Sequence, residues 1–305
     1  MNNTPFGREL LQGLRARPRT LAPKWFYDAA GSALFDQICE LPEYYPTRTE
    51  LALLDRHAPE MAQLLGPDCE IVEFGAGSNR KVRVLLAAMQ GVRRFVPIDI
   101  SGEHLLQSAR QLQADLPGVA VAPVVADFTQ PLQLPPAEGR RVGFFPGSSI
   151  GNFDPDQARL LLRRFAQVLG QGGLLIGVDL VKDPAVLHAA YNDAQGVTAA
   201  FNLNLWARAN RELGADFELS QWWHSAFYNA PLQRIEMHLV SRVRQTVHLG
   251  AEPVHFDAGD SVHTENSYKY TVAGFQQLAR DTGYEPRQVW TDAASRFAIH
   301  WLALA

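Results

Sequence analysis

Cysteine is scarce in this sequence. Cys39 and Cys69 are the only two among 305 residues, and no C-x-x-C pair is present. So few cysteines exclude a framework of disulfides and a site in which several thiolates bind a metal. Such limited use of cysteine fits a reducing compartment, and we expect the protein to be cytoplasmic.

The sequence also lacks an excess of positive charge and any long apolar run. Its 28 lysine and arginine residues face 32 aspartate and glutamate residues, for a formal net charge of -4. Without a broad basic surface, counterion release could not hold a polyanion, so we expect no nucleic-acid partner. No apolar run reaches the roughly 18–20 residues of a membrane span, and the first ten residues lack the apolar stretch of a secretory signal. We expect no membrane partner either.

Short apolar runs alternate with helical patterns from residue 70 onward. The runs cover residues 70–77, 93–101, 119–128, 142–153 and 172–181. This alternation is typical of repeated β-α-β units and predicts a parallel sheet in an α/β protein. The runs contain, at the ends of the predicted strands, Gly75, Asp99, Asp127, Gly147 and Asp179. Because ligands of open α/β sheets bind at the carboxyl ends of the strands, we expect these positions to border one site.

The flanking segments predict mixed structure. Basic residues before Trp25 lie among leucines at helical spacing, which predicts a surface helix rather than a targeting arm. Residues 184–213 and 271–282 have helical patterns, whereas apolar and polar residues alternate in 234–249 and 263–270. The alternation predicts antiparallel strands laid over the parallel core.

A glycine-rich segment, EFGAGSNRK, joins the first apolar run to a helical pattern. Gly75 and Gly77 would let the backbone come close to a ligand at the helix N-terminus. A dinucleotide-binding loop would need a third glycine where this chain has Arg80, which argues against a nicotinamide oxidoreductase. Asp99, at the end of the next run, is placed to accept hydrogen bonds from two ribose hydroxyls.

The pair Asp127 and Phe128 ends the third apolar run. It offers a carboxylate for an adenine amino group and a ring for stacking. Together with the glycine loop and Asp99, this pair favours S-adenosylmethionine as the cofactor. The alternative for each carboxylate is a helix N-cap at the end of a strand.

Ten segments between residues 23 and 270 carry the motifs of one known family. They are PKWFYD (23–28), LPEYYPTRTE (41–50), FGAGSNRK (74–81), FVPIDIS (95–101), GSSIGNF (147–153), DLVKD (179–183), AYNDAQGVTAAFN (190–202), NRELGADF (210–217), RIEM (234–237) and TENSYKY (264–270). Through them the chain resembles the histidine-specific N-alpha-methyltransferases of ergothioneine biosynthesis. The resemblance implies S-adenosylmethionine-dependent trimethylation of L-histidine to hercynine. It also implies a Rossmann-like class I methyltransferase sheet and a second, mixed α+β substrate-binding domain.

The resemblance further implies roles for individual residues. Tyr44 and Asn152 would be the catalytic residues that hold the amino-acid end of the substrate, and Tyr191 would bind its carboxylate. Glu265 and Ser267 would bind the imidazole. The other implied substrate-binding residues are Tyr27, Phe35, Gly147, Ser149 and Met237. The implied cofactor-binding residues are Gly75, Lys81, Asp99, Asp127 and Phe128, to which the glycine loop itself adds Gly77.

Independent reasoning from the residues leaves alternatives for several of these roles. Glu265 and Ser267 lie two apart in a strand-like segment, so their side chains leave the same face. A carboxylate can accept from one imidazole N–H while a hydroxyl serves the other nitrogen. The alternative is the wet face of an edge strand, which would also carry His263 and Lys269. Asn152 could instead cap a helix that starts at the next residues, and Met237 could be a core residue.

The same motifs suggest a two-domain layout. We expect a methyltransferase domain of residues 51–181 plus 271–305 and a substrate-binding domain of residues 1–50 plus 182–270, with the active site between them. We also expect a monomer. The nine histidines include no H-x-H or H-x-x-x-H pair, so we expect no metal site.

Two other functions remain open at this point. One is an α-N-methyltransferase for another amino acid, such as tryptophan or a prenylated derivative, against which Glu265 and Ser267 argue. The other is a non-catalytic sensor that binds S-adenosylmethionine or histidine and regulates a partner. The intact cofactor and substrate motifs argue against the sensor.

Overall fold

The computed structural model describes residues 4–304, which divide into two compact units. Unit 1 contains the chain up to Tyr44 together with Asp183–Ser267, and unit 2 contains Tyr45–Lys182 together with the chain from Tyr268 onward. Residues 1–3 and 305, where the predicted domain ranges begin and end, lie outside the described part. No helix among the described residues has the length and apolar character that crossing a membrane requires.

The described residues form α-helices, strands and short 3₁₀ turns. The helices are α1 (Pro5–Arg15), α2 (Ala29–Glu40), α3 (Tyr45–Leu65), α4 (Arg80–Ala88), α5 (Gly102–Asp115), α6 (Pro155–Leu169), α7 (Pro184–Tyr191), α8 (Val197–Leu213) and α9 (Val272–Arg280). The strands are β1 (Arg19–Thr20), β2 (Cys69–Phe74), β3 (Arg94–Asp99), β4 (Ala120–Val121), β5 (Val124–Val125), β6 (Arg140–Phe145), β7 (Gly173–Asp179), β8 (Trp222–Asn229), β9 (Arg234–Ser241), β10 (Gln245–Leu249), β11 (Glu252–Phe256), β12 (Ser261–Tyr268), β13 (Tyr284–Thr291) and β14 (Phe297–Leu304). The 3₁₀ turns are Pro23–Phe26, Ser149–Asn152, Leu219–Gln221 and Ala230–Leu232.

An eight-stranded sheet forms the centre of unit 2. Its order is β13-β14-β7-β6-β2-β3-β4, and β5 also pairs with β3. The strands from β2 to β7 pair in parallel, whereas β14 runs antiparallel to both β7 and β13. The predicted α/β fold with a Rossmann-like parallel sheet is therefore confirmed. After β2 the chain adds strands first on one side and then on the other, so the glycine loop follows the strand where ligands of such sheets bind.

Both faces of this sheet are covered, which explains why its strands are apolar throughout. All six residues of β2 and all seven of β7 are buried. On one face Leu54 and Met61 of α3 and Leu86 of α4 belong to the core. On the other face Phe165 of α6 and Phe275 of α9 do the same. Strands that are buried on both sides need no alternation of apolar and polar residues.

Two predicted elements are divided in the structure. The run 119–128 forms two short strands, because Pro123 lies between them and has no N–H to donate to the neighbouring strand. The helical pattern of 184–213 forms α7 and α8. Asp193 lies in the connection between them, and its carboxylate accepts from the backbone N–H groups of Val197 and Thr198 at the start of α8, both at 2.8 Å.

Unit 1 contains a four-stranded sheet in the order β1-β12-β9-β8 and the separate antiparallel pair of β10 and β11. β8 and β9 are antiparallel, as the alternation predicted, while the short β1 runs parallel to β12. The sheet places β12 between β1 and β9. The exposed fractions of Glu265 and Ser267 are only 9% and 5%, so the alternative in which they lie on the wet face of an edge strand is wrong.

Helix α8 holds the two central strands of this sheet in place. The Thr264 hydroxyl on β12 donates to the side-chain oxygen of Asn202 (2.8 Å), and the Asn202 amide donates to the backbone carbonyl of His238 on β9 (3.0 Å). Farther along α8, Trp206 stacks on Phe217 with ring centroids 4.1 Å apart. These contacts fix the strands that carry Glu265, Ser267 and Met237.

Candidate functional site

The glycine loop lies between β2 and α4 in unit 2. Gly75 has a φ of +74°, and its N–H donates to the carbonyl of Ile98 on β3 at 2.8 Å. A Cβ added at Gly75 would lie 3.3 Å from the ring of Phe128, whereas one added at Gly77 would meet nothing within 4 Å. The structure thus brings Gly75 next to Phe128 and leaves open space at Gly77, which fits a ligand that approaches the backbone closely.

Asp99 and Asp127 lie at the same edge of the sheet, after β3 and β5. An Asp99 oxygen accepts from the Ser101 N–H at 2.7 Å, and an Asp127 oxygen accepts from the N–H and hydroxyl of Thr129 at 2.9 and 2.5 Å. Each carboxylate therefore stabilises a local turn. Neither is a helix N-cap, because Ser101 occupies the N-cap position of α5 and no helix follows Asp127 directly. Burial raises the pKa of Asp99.

Lys81 and Gly147 meet at a buried carboxylate that the sequence reasoning missed, Glu50. The Lys81 ammonium lies 2.7 Å from Glu50 Oε2, and the Gly147 N–H donates to the same oxygen at 2.9 Å. Glu50 ends the segment YYPTRTE, so three of the motif segments converge here. Gly147 also has a φ of +80°, which favours glycine at this position.

A second missed carboxyl group, Glu73, lies within β2 just before the glycine loop. It is 2% exposed, and its Oε2 has no hydrogen-bond partner among the described residues. Burial raises its pKa to about 8, an effect that Lys81 opposes and that the charges of Asp99 and Glu50 reinforce. A buried acceptor without a partner is costly, which makes this position a candidate for contact with a polar or cationic ligand.

Asp179, at the end of β7, is the centre of a buried ionic network. Tyr45 donates to both of its carboxylate oxygens at 2.8 and 2.7 Å, and the Lys182 and Lys269 ammonium groups lie 2.6 and 2.8 Å from it. Burial raises the pKa of Asp179, but the two ammonium groups outweigh this and hold it below its usual value. Burial in turn lowers the pKa of Lys182 to about 8.

The segment GSSIGN forms a tight turn after β6. Ser149 donates to the Pro146 carbonyl at 3.1 Å, and Asn152 is the last residue of the 3₁₀ turn Ser149–Asn152. Helix α6 begins later, at Pro155, and Asp154 occupies its N-cap position. The alternative in which Asn152 caps that helix is therefore wrong. The predicted contact of Asn152 with a substrate stays a prediction.

Four of the predicted substrate residues form a chain of aromatic rings in unit 1. Ring centroids are 5.7 Å apart between Tyr27 and Phe35, 6.3 Å between Phe35 and Tyr44, and 6.3 Å between Tyr44 and Tyr191. Burial, together with the neighbouring Tyr191, raises the pKa of Tyr44 well above its usual value. Tyr44 therefore stays a neutral phenol, which can donate or accept a hydrogen bond but cannot act as a base near neutral pH.

The predicted imidazole-binding pair lies at the end of β12 nearest these rings. Tyr191 donates to the Ser267 hydroxyl at 2.7 Å, so one of the predicted carboxylate-binding residues directly contacts one of the predicted imidazole-binding residues. Tyr44 lies close enough to Glu265 for the carboxylate to contribute to its raised pKa. Met237 is 1% exposed on β9, opposite Ala226 of β8, and thus lies in the core of the sheet.

The structure also assembles a group of side chains that no motif indicated. Glu236, His238 and His263 present one potential ligand atom each, and these atoms lie within 4.8 Å of one another. Burial lowers the pKa of both histidines. The spacing rule that led us to expect no metal considers histidines near each other in sequence, whereas these residues come from β9 and β12.

The raised pKa of Glu73 predicts a pH dependence of stability. Between about pH 4.5 and 8 the folded protein keeps a proton that the unfolded chain releases. The part of the folding stability that depends on protonated Glu73 is therefore fully present below pH 4.5. It is lost as the pH rises toward 8, by up to about 1.4 kcal/mol per pH unit. Glu73→Gln cannot lose a proton, so its free energy of unfolding should increasingly exceed that of the parent protein over this range. Denaturant unfolding at several pH values measures the difference. Glu103→Gln, on the exposed side of α5, is the control, and parallel profiles for parent and Glu73→Gln would contradict the assignment.

Comparison with known proteins gives the site its family context. A family model described as "Histidine-specific methyltransferase, SAM-dependent" matches residues 6–304. The histidine N-alpha-methyltransferase of Mycolicibacterium smegmatis is 43% identical over 298 residues, which cover 96% of this chain and 92% of that protein. Ergothioneine biosynthesis protein 1 of Neurospora crassa is 31% identical over 94% of this chain and 33% of that protein. The 4-dimethylallyltryptophan N-methyltransferase of Claviceps purpurea is 25% identical over 97% of this chain and 94% of that protein.

The family assignment agrees with the sheet described above. Its parallel strands, its antiparallel β14 and the loop of Gly75 and Gly77 after β2 form one α/β unit. The family model spans almost all of the described residues, and the similarity to the mycobacterial relative extends over most of both chains. This chain belongs to the family of histidine-specific, S-adenosylmethionine-dependent methyltransferases.

Proposed function

We propose that this chain transfers three methyl groups from S-adenosylmethionine to the α-amino nitrogen of L-histidine and forms hercynine. The observation that carries the proposal is the buried pair of Glu265 and Ser267 on one face of β12. A carboxylate and a hydroxyl two residues apart can engage both nitrogens of one imidazole ring. The relatives whose names specify histidine N-alpha-methylation support this substrate.

Specificity follows from the hydrogen bonds that the buried pair can make to a substrate. Phenylalanine and leucine have no side-chain N–H to donate to Glu265, so they would place apolar atoms against a buried carboxylate. Tyr191 donates to the Ser267 hydroxyl, and a hydroxyl that accepts one hydrogen bond can also donate one, as the second imidazole nitrogen requires. The pair therefore favours a ring with one donor and one acceptor, which is neutral imidazole.

The side chains of unit 1 contribute positioning rather than covalent chemistry. S-adenosylmethionine, when bound, supplies the methyl group as an electrophile. Holding an amine in a near-attack geometry can account for roughly 7–11 kcal/mol of a barrier. Tyr44 remains protonated and can orient the amine through one hydrogen bond. A single hydroxyl also lets the amine turn as methyl groups replace its hydrogens, which a carboxylate would resist.

The residues of unit 2 fit the proposed cofactor. The open space at Gly77 admits a ligand, the ring of Phe128 beside Gly75 offers a stacking surface, and Asp99 offers a carboxylate for ribose hydroxyls. S-adenosylmethionine carries an ammonium and a sulfonium group, and Glu73 is a nearby buried carboxyl group with an unpartnered oxygen. These features support a cationic adenosyl ligand. The roles of Lys81, Asp127, Gly147, Ser149 and Asn152 toward ligands stay predictions.

The cellular location of the enzyme is a further part of the proposal. We infer a reducing cytoplasm, because neither Cys39 nor Cys69 forms a disulfide. A monomeric state and the lack of nucleic-acid and membrane partners stay predictions from the sequence.

Replacing Glu265 tests the proposed substrate. Glu265→Gln loses a hydrogen bond to a charged group, which is worth about 1.5–3 kcal/mol. We expect the KM for histidine to rise at least about tenfold while the Kd for S-adenosylmethionine changes less than about twofold. Steady-state kinetics with product detection by mass spectrometry and calorimetric titration measure the two quantities. Ser261→Ala, at the exposed start of the same strand, is the matched control. Equal losses in both quantities would reject imidazole recognition by Glu265.

Replacing Asp99 tests the proposed cofactor site. Asp99→Asn keeps an oxygen for the Ser101 N–H but weakens acceptance from ribose hydroxyls, so cofactor affinity should fall at least about tenfold. Calorimetric titration with S-adenosylmethionine measures this, and denaturant unfolding checks that the fold persists. Asp115→Asn, at the exposed end of α5, is the control. Unchanged affinity in Asp99→Asn would mean that the ribose is bound elsewhere.

A further inference from the structure

The group of Glu236, His238 and His263 has the composition of a metal site. Two imidazoles and one carboxylate form the ligand set that proteins use for zinc and for other first-row divalent ions. Their ligand atoms lie within 4.8 Å of one another. The group belongs to unit 1, on β9 and β12, and the proposed methylation gives it no role.

The distance between two of the three ligand atoms already equals that between two atoms that bind the same metal ion. His238 Nε2 lies 3.2 Å from Glu236 Oε2. Two atoms that each bind one ion at about 2.0–2.2 Å are separated by roughly 3–3.5 Å. A cation can therefore replace the proton that these two atoms share now, with little movement of either side chain. The rings of Phe227 and His238 are stacked at 5.4 Å and 12°, which fixes the orientation of the imidazole.

The third ligand has its second nitrogen already engaged. His263 Nε2 lies 3.0 Å from the backbone carbonyl of Glu265, an acceptor, so Nε2 carries the proton and Nδ1 has the lone pair. Metal-binding histidines in proteins commonly donate their other N–H to a backbone carbonyl in this way. The ring centroids of His238 and His263 are 5.0 Å apart, so the two imidazoles are neighbours.

The other oxygen of the Glu236 carboxylate, Oε1, accepts two hydrogen bonds. Glu236 Oε1 accepts from Arg234 Nε at 2.9 Å and from the Asn229 amide at 2.9 Å. These bonds orient Oε2 toward His238, as outer residues do for the carboxylate ligands of metal sites. Glu236 is 8% exposed and both histidines are partly exposed, so an ion can reach the group from solvent.

We propose that Glu236, His238 and His263 bind one divalent first-row transition-metal ion, with zinc as the expected occupant. Glu236 Oε2, His238 Nε2 and His263 Nδ1 are the three protein ligands, and water completes the coordination. The ion links β9 to β12 at a position two residues before Glu265. The shared carboxylate and the two imidazoles favour Zn²⁺ or Co²⁺ over Mg²⁺ and Ca²⁺, which prefer oxygen ligands.

Cobalt provides a direct probe, because its visible absorption reports the ligands. The experiment titrates Co²⁺ into the full chain, without an affinity tag and without histidine or S-adenosylmethionine, and follows absorbance and bound metal after dialysis. Zn²⁺ is then added to displace the cobalt, and Mg²⁺ is added in a parallel sample. We expect one Co²⁺ per chain, displacement by Zn²⁺, no displacement by Mg²⁺, and a higher thermal midpoint in the presence of Zn²⁺.

Two separate variants keep the test independent of folding. His238→Gln and His263→Gln should each weaken cobalt binding more than about tenfold, and their circular dichroism spectra show whether they fold. His248→Gln is the matched control, because His248 is an exposed histidine of unit 1 that also pairs with a carboxylate, Asp216, at 2.9 Å. It should bind cobalt as the parent protein does.

Two outcomes would overturn the proposal. One is that the parent protein binds no more cobalt than folded His263→Gln. The other is that His248→Gln loses binding to the same extent as the two cluster variants, which would indicate scattered surface binding. Neither outcome depends on methyl transfer, so failure of the metal site and failure of the proposed function can be told apart.

Discussion

The buried carboxylate of Asp179 is the group on which the arrangement of the chain around β7 depends. Tyr45, Lys182 and Lys269 all bind it. The chain passes between the two units just before Tyr45, just after Lys182 and just before Tyr268. Each of the three crossings therefore lies within two residues of a side chain that binds Asp179. Loss of this carboxylate would leave two buried ammonium groups without compensation, at a cost of about 3–5 kcal/mol.

The other buried acids of unit 2 show how unusual Glu73 is. Glu70 pairs with Arg94 and Arg141, and Glu50 pairs with Lys81. These partners supply positive charge that stabilises the ionised acids in the interior. Glu73 has no such ion pair among the described residues and keeps its proton instead, with its pKa raised by burial to about 8. Glu73 lies one residue before Phe74, which ends β2 ahead of the glycine loop.

Much of the fold could be predicted, because the period and length of apolar runs reflect burial on both faces of a parallel sheet. The prediction was wrong where one residue interrupts a pattern. Pro123 divides a run into two strands, and the carboxylate of Asp193 divides a helical pattern. Both interruptions are local and leave the apolar pattern on either side unchanged. The apolar pattern alone therefore cannot show them.

The candidate site was predictable to a smaller extent. The position of Glu265 and Ser267 on one face follows from strand geometry, whereas their burial could be seen only in the structure. The group of Glu236, His238 and His263 could not be found from histidine spacing, since its members lie on two strands that are distant in sequence. Motif recognition supplied the predicted roles of most other site residues. Their hydrogen bonds, such as that from Tyr191 to Ser267, required the structure.

We propose that recognition of the imidazole by Glu265 and Ser267 makes this chain specific for histidine. A single competition experiment tests it most directly. The purified protein is incubated with S-adenosylmethionine and an equimolar mixture of the twenty amino acids, and mass spectrometry identifies every methylated product. We expect trimethylated histidine alone. Methylation of tryptophan or another amino acid in preference to histidine would contradict it.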